Sequence, residues 1–364
     1  MLPLFLATLL ATPPRPHVAP VVRAHDGGDV TVVVDSSKHT VTITMGPFSI
    51  PAGMAPMPGM GHGMQHTGHS EEPLMLFKWP VTGWARGYRM TLSDSAGHPI
   101  DRRTLHHLNL INYGRRQLFY PMAERILAVG QETPDISLPS GIGIPVTANT
   151  PWGIFVAWHN EHPEPIPALY VKLVMDYSPS NLNPRPVSVL PVYMDVVDPV
   201  GKAVDFDLPA GETTFHADLT IPAGGRIIGI SGHAHDYIHG IALQRIENGR
   251  ARDVVRLRTP LDSLGRITGV EEKYPGIRGA GIKLVKGGTY RVTGTYDNPT
   301  GGMLKQGAMI HIVWLMAVDN MRDWPAVDPD DPGYRLDMDY LETRGNPSND
   351  GHQHDHMDGM QHSH

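Results

Sequence analysis

VTVVVDSSKHTVTITMG, residues 30–46, contains the pattern that decides the fold. In its second half Val41, Ile43 and Met45 alternate with Thr40, Thr42 and Thr44. A period of two is that of a strand with one buried face. Asp35, Ser36, Ser37 and Lys38 supply a polar turn between two such runs. Moving outward, strand-like runs recur at LMLFKWPV (74–81), GYRMTLSD (87–94), WGIFVAWH (152–159) and ALYVKLVMDY (168–177). Further ones are VSVLPVYMDVV (187–197), TFHADLTI (214–221), RIIGIS (226–231), GIALQRI (240–246), TYRVTGTY (289–296) and GAMIHIVWLMAV (307–318). Gly, Pro, Asn or Asp separates most of them, so the chain is expected to be all-β. Only the region around 121–131 is expected to hold a short helix.

At 364 residues two domains are the natural expectation. Hydrophobic residues make up 40%, enough for packed cores, and 39 Gly with 34 Pro suit many tight turns. The segment SPSNLNPRPV, 178–187, is the best boundary. The domains expected are therefore 28–177 and 187–323, followed by a flexible His-rich tail, 324–364. A net charge of −7 offers no basic patch for nucleic acid. The absence of Cys excludes disulfides and thiolate metal sites. MLPLFLATLLA opens the chain with an apolar run too short to span a bilayer. It reads as a secretory leader covering about 1–24, with cleavage after Ala11 or Ala24, although a basic stretch ahead of it is absent. The expected location is periplasmic or secreted, with no membrane contact after leader removal.

The residues that carry chemistry are histidines and one methionine. His233 and His235 flank Ala234 at the end of RIIGISGHA, so on a strand both point to one face. Two imidazoles so placed can converge on one ion; the alternative is a polar strand with two unrelated histidines. His106 and His107 are adjacent and diverge on a regular strand; they meet only at a bulge or a strand end. His159 ends an apolar strand and is either a rim histidine or a third ligand to that pair. Met309 follows a turn and opens a strand, either as a core methionine or as a thioether ligand suited to Cu(I). His311 shares its face, and is a candidate pocket residue or extra ligand.

In this order, His106-His107, His159, His233-x-His235 and Met309 resemble the copper type II, ascorbate-dependent monooxygenases, across roughly 74–318. The resemblance is to a bacterial branch of that superfamily, which includes the peptidylglycine and dopamine hydroxylases. It implies two tandem jelly-roll β-sandwich domains, each with one copper ion facing a cleft. His106, His107 and His159 would hold an electron-transfer copper. His233, His235 and Met309 would hold the catalytic copper, which meets O2 and hydroxylates a C–H bond, with ascorbate or another reductant as electron donor. The animal peptide hydroxylase has an Arg two residues before His-x-His and a Tyr four residues after Met. Ser231 and Val313 stand at those positions here, so no anion clamp is expected, and the implied substrate is small, neutral or apolar.

Two low-complexity segments add flexible metal-binding side chains. One carries Met54, Met57, Met60, His62, Met64, His66 and His69; the other carries His352, His354, His356, Met357, Met360, His362 and His364. They are candidate accessory copper sites, with a copper donor protein as a candidate partner, or simply solvated segments. The alternatives kept open are a copper-binding or copper-handling protein without turnover, and a lectin-like sandwich. A zinc hydrolase is a weaker alternative, because no H-E-x-x-H spacing is present.

Overall fold

The computed structural model describes residues 17–18, 22–23, 29–53, 69–130, 133–160, 162–277 and 279–343. The described chain is mostly strand, with a single α-helix. Thr40–Ile50 follows the period read from its sequence, with Val41, Ile43 and Met45 buried and the threonines between them partly exposed. It lies between Asp29–Asp35 and Ile166–Pro179, and the same sheet continues through Gly83–Ser93 to Ile142–Val146. A second sheet pairs Pro151–His159 with Leu105–Arg116, which in turn pairs with Ala123–Gly130. Both sheets contribute to one core. Ile43, Met45 and Phe48 come from the first; Leu108, Leu110, Trp152 and Trp158 come from the second.

A second unit repeats this plan. One sheet runs Leu190–Asp195, Ile310–Val318, Gly225–Ala234 and Ile282–Leu284. The other runs Gly211–Thr220, Thr289–Asn298, Ile238–Glu247 and Arg250–Leu257. Its core gathers Val192, Met194, Ile227, Leu243, Val292, Ile312 and Trp314. The segment 178–187 carries the chain between the units. At its end, Val187–Ser188 pairs in parallel with Ile142–Val146 of the first unit. Val189 and Ile228 then pack with Leu138 and Ile142, so apolar side chains join the two units.

Two local expectations are corrected. The region around 121–131 forms the strand Ala123–Gly130, not a helix. Its Ala, Glu, Arg and Leu favour helix locally, but pairing with Leu105–Arg116 buries Ile126 and Val129 and overrides that weak preference. The tail expected from 324 onward begins with ordered chain. Trp324 is buried and donates through Nε1 to the Arg116 carbonyl at 2.9 Å. Pro332–Thr343 is an α-helix whose Leu341 packs with Ile111 and Ala123 of the first unit. Its Asp337 forms a buried ion pair with Arg125, Oδ1 to Nη2 at 2.6 Å. Residues 344–364 lie outside the described residues.

Within the expected leader, His17–Val18 and Val22–Arg23 are short strands paired with Asp29–Asp35; the rest of 1–24 lies outside the described residues. Among the described residues no helix is long and apolar enough to cross a membrane.

Candidate functional site in the cleft between the two units

On the first unit, His107 lies opposite Ala157, but the next pair is Leu105 with Trp158. His106 is therefore the extra residue of a β-bulge. The bulge does what a regular strand forbids: it sets the two rings side by side, with centroids 4.7 Å apart and planes tilted by 48°. His107 also lies against Phe155, at 5.4 Å between centroids. His159, at the end of the neighbouring strand, is partly exposed and pairs through its backbone with His69. It does not join His106 and His107 among the residues lining the cleft.

On the second unit, strand register builds a transverse row. His233 lies opposite His311, and His311 lies opposite Asp195 on the other side. Directly opposed residues of antiparallel strands share a face. Ser231 lies opposite Val313 one step along the same face. His235 follows His233 by two residues, with ring centroids 5.8 Å apart and planes at 83°. Met309 sits between the strands Leu304–Ala308 and Ile310–Val318, half-buried.

One hydroxyl holds this edge together. The backbone N–H of Met309 donates to Tyr296 Oη at 3.1 Å, and that of His235 donates to it at 3.3 Å. Tyr296 Oη in turn donates to the Met309 carbonyl. One donor and two acceptor positions are the full capacity of a hydroxyl. Burial raises the Tyr296 pKa, so the group stays a neutral donor. Sequence reading named neither Tyr296 nor Asp195. An Asp closing the apolar run LPVYMD was the available signal, since a buried carboxylate needs a partner.

His311 Nδ1 meets Asp195 Oδ1 at 2.7 Å, and Tyr193 stacks on the ring with centroids 4.8 Å apart. Asp195 is only 3% exposed. Its backbone N–H donates to Tyr120 Oη at 3.0 Å. Tyr193 is buried, which drives its pKa well above the ordinary value.

Both walls face one cavity of about 530 Å³. His106, His107, His233, His235, Met309, His311, Ser231 and Val313 all line it. Met122, Ile126, Val129, Ile230 and Leu315 supply apolar lining, and Tyr340 and Leu341 of the C-terminal helix complete it. Arg125 also reaches the cavity. Burial works against its charge, yet the attraction of Asp337 leaves its pKa raised.

Among the described residues no group of three or more His, Cys, Asp or Glu side chains is gathered as a metal cage. The expected His106, His107 and His159 set lies on two paired strands, the first two at the bulge and His159 one residue beyond Trp158, the residue opposite Leu105. Met54, Met57, Met60, His62, Met64 and His66 lie outside the described residues, as does the side chain of His69. His352, His354, His356, Met357, Met360, His362 and His364 lie outside them as well.

No known protein family matches the chain, and no curated protein matches it. Solved structures do match. PNGase F, a glycosylasparaginase from Flavobacterium meningosepticum, is 11% identical, with a TM-score of 0.34 over 76% of this chain and 95% of its own. A peptide-N(4)-(N-acetyl-β-D-glucosaminyl) asparagine amidase is 10% identical, with a TM-score of 0.36 over 75% of this chain and 96% of its own. PNGF-II is 10% identical, with a TM-score of 0.30 over 82% and 84%.

These findings correct the family expectation. Two of the structures matched are named as a glycosylasparaginase and an asparagine amidase, and no family match links the chain to copper monooxygenases. Membership of that superfamily, O2-dependent hydroxylation, the oxidoreductase class and the copper-handling alternative framed on the same resemblance are withdrawn. The physical reason is that six ligand letters in the right order do not specify a cage, and each motif is short enough to recur by chance. Likenesses this remote carry no activity onto this chain either, so amide hydrolysis is not transferred.

Proposed function

We propose that this protein is a binding protein whose cleft, between two β units, receives a small and largely apolar molecule. The cavity of about 530 Å³ at the junction of both cores is the observation that carries this reading. It lies within the range of roughly 300–1,000 Å³ usual for small-molecule sites, and a few convergent polar groups interrupt an apolar lining. Nucleic acid and membrane surfaces are poor partners for a chain of net charge −7. The units are proposed to be 28–177 and 187–323, each a sandwich of jelly-roll type. The MLPLFLATLLA run supports export to the periplasm or beyond.

The test uses Nile red, a neutral fluorescent probe of apolar sites. Saturable binding at one site per chain is expected. Val313→Trp, which fills the cleft, should weaken it at least tenfold without lowering the unfolding midpoint appreciably. Unsaturable emission, or equal emission from the variant, would overturn the reading.

A copper ion is proposed as a cofactor at the edge of the same cleft, held by His233, His235 and Met309. The donor set fits: two imidazoles and a thioether suit Cu(I), and the Tyr296 hydroxyl ties the backbones of His235 and Met309. When bound, the ion would offer a soft Lewis-acid contact to the ligand. Cu(I) titration against a chromogenic chelator should give one strong site that Met309→Leu weakens by about tenfold, the scale of one lost ligand interaction. Indifference of Cu(I) affinity to both Met309→Leu and His235→Ala would remove the ion from this site.

A further inference from the structure

The cleft wall of the second unit extends beyond its long strands. Ile230 and Lys273 exchange two backbone hydrogen bonds, N–H of Ile230 to the Lys273 carbonyl at 2.8 Å and the reverse at 2.9 Å. This antiparallel contact sets 270–274 beside Gly225–Ala234. Its alternate residues Val270, Glu272 and Tyr274 line the cavity, as Gly229, Ser231 and His233 do on the neighbouring strand. Continuing the register places Glu272 beside Ser231 and Tyr274 beside Gly229. The Tyr274 ring indeed lies over Gly229, where an added Cβ would meet Cδ1 and Cε1 at 2.8 Å. Tyr274 Oη donates to Glu272 Oε2 at 3.4 Å. Tyr88 of the first unit lines the same cavity, its Oη donating to the Pro134 carbonyl at 2.9 Å. Burial raises the Tyr88 pKa, and the charges of Arg102, Asp135 and Glu272 all reach its hydroxyl.

Glu272 is exposed at the cavity and forms no ion pair among the described residues. The other carboxylates and cations there are engaged or stand apart. Arg125 is bound to Asp337, Asp195 to His311 and, behind Tyr88, Arg102 to Asp135. Glu71 and Asp205 have neighbours of their own. Lys202 is exposed on the stretch that follows Leu190–Asp195. That strand is the far edge of the wall, three strand spacings or about 14 Å from the line of Glu272. We infer that the cleft takes a small organic cation, an ammonium head on an apolar tail, with the head at Glu272, Tyr274 and Tyr88. This rests on the cleft being a small-molecule site. The carboxylate supplies the opposite charge, and phenol ring faces attract a cation that has shed part of its water. The tail then runs along Val313 and Leu315, which line the wall between the head and the far edge. A carboxylate head would be repelled by Glu272 and left with a solvated Lys202.

The experiment uses hexyltrimethylammonium, heptanoate and 1-heptanol as competitors of Nile red on the full chain. All three carry a hexyl tail, and the quaternary head neither donates a hydrogen bond nor ligates copper. The cation is expected to displace Nile red at least about tenfold more effectively than the anion, because like charges brought together suppress the wrong partner. Glu272→Gln should weaken the cation about fivefold, the upper end for an exposed charge pair, and shift 1-heptanol by less than about twofold. Raising the salt to about 0.15 M should weaken the cation and leave 1-heptanol unmoved, since an exposed charge is screened. Tyr274→Leu, which removes a ring face, should also cost the cation more than the alcohol, and it serves should Glu272→Gln fail to fold. A better fit of heptanoate than of the cation would overturn the inference while leaving the cleft reading intact. Cation affinity indifferent to salt and to either variant would overturn it as well. Failure of Nile red itself to bind would sink the cleft reading, and this inference with it.

Discussion

Asp337→Asn is expected to destabilise the protein by about 3–5 kcal/mol, the usual result of leaving one member of a buried ion pair uncompensated. Asp337 is wholly buried, and Arg125 is 12% exposed at its side chain. The two meet through a pair of hydrogen bonds, Nη1 to Oδ2 at 3.2 Å and Nη2 to Oδ1 at 2.6 Å. Removing the negative charge leaves a guanidinium in a place that disfavours charge, with the Ala123 carbonyl accepting from Nη1 at 3.0 Å and a single amide oxygen in place of the carboxylate. The C-terminal helix should then loosen from the first unit, because its other buried residue there is Leu341. Urea unfolding at neutral pH measures the loss. The double change Arg125→Met with Asp337→Leu should recover most of it, because apolar pairs of similar volume often replace buried ion pairs at little cost. A loss below about 1 kcal/mol for the single change, the scale of an exposed pair, would mean that water reaches the guanidinium.

Tyr296→Phe should cost about 2–4 kcal/mol, the net worth of three intramolecular hydrogen bonds at roughly 0.5–1.5 kcal/mol each. The ring is buried, so the phenylalanine keeps its packing and loses only the hydroxyl. The Met309 N–H and C=O and the His235 N–H lose the partner they share. The loss should therefore concentrate at one edge of the cleft. Hydrogen exchange at Met309 and His235 should rise well beyond that of the core strand Ile310–Val318. Uniform acceleration across that strand would instead mean that the hydroxyl supports the whole sheet and not this edge.

Much of the fold was legible because strand burial follows a period of two. Thr40–Ile50 and Gly211–Thr220 show that alternation in the folded chain as they do in the letters. Helix Pro332–Thr343 was not legible. Its apolar stripe, Tyr334, Met338 and Leu341, spans only two turns within an acidic, Pro-rich stretch, too short a period to stand out in the letters. Ala123–Gly130 was misread because its local preference points one way and its pairing partners the other. At the site, the condition for His106 and His107 to meet could be stated from sequence, a bulge, but only pairing with Pro151–His159 could supply it. The partners of His311 come from a strand 116 positions away in the chain, and Tyr296 acts through backbone atoms whose place no residue identity announces. The family expectation failed for a related reason: the order of ligands along a chain constrains their final separation very weakly.

The Arg125–Asp337 pair also has a temporal meaning. The guanidinium emerges during synthesis 212 residues before the carboxylate that neutralises it. Both β units can pair their strands in that interval, yet the first must hold an unmatched cation against a growing apolar interior. The helix Pro332–Thr343 thus acts as a keystone, and a nascent chain stalled before it would present an open, charged seam for chaperones or proteases to find.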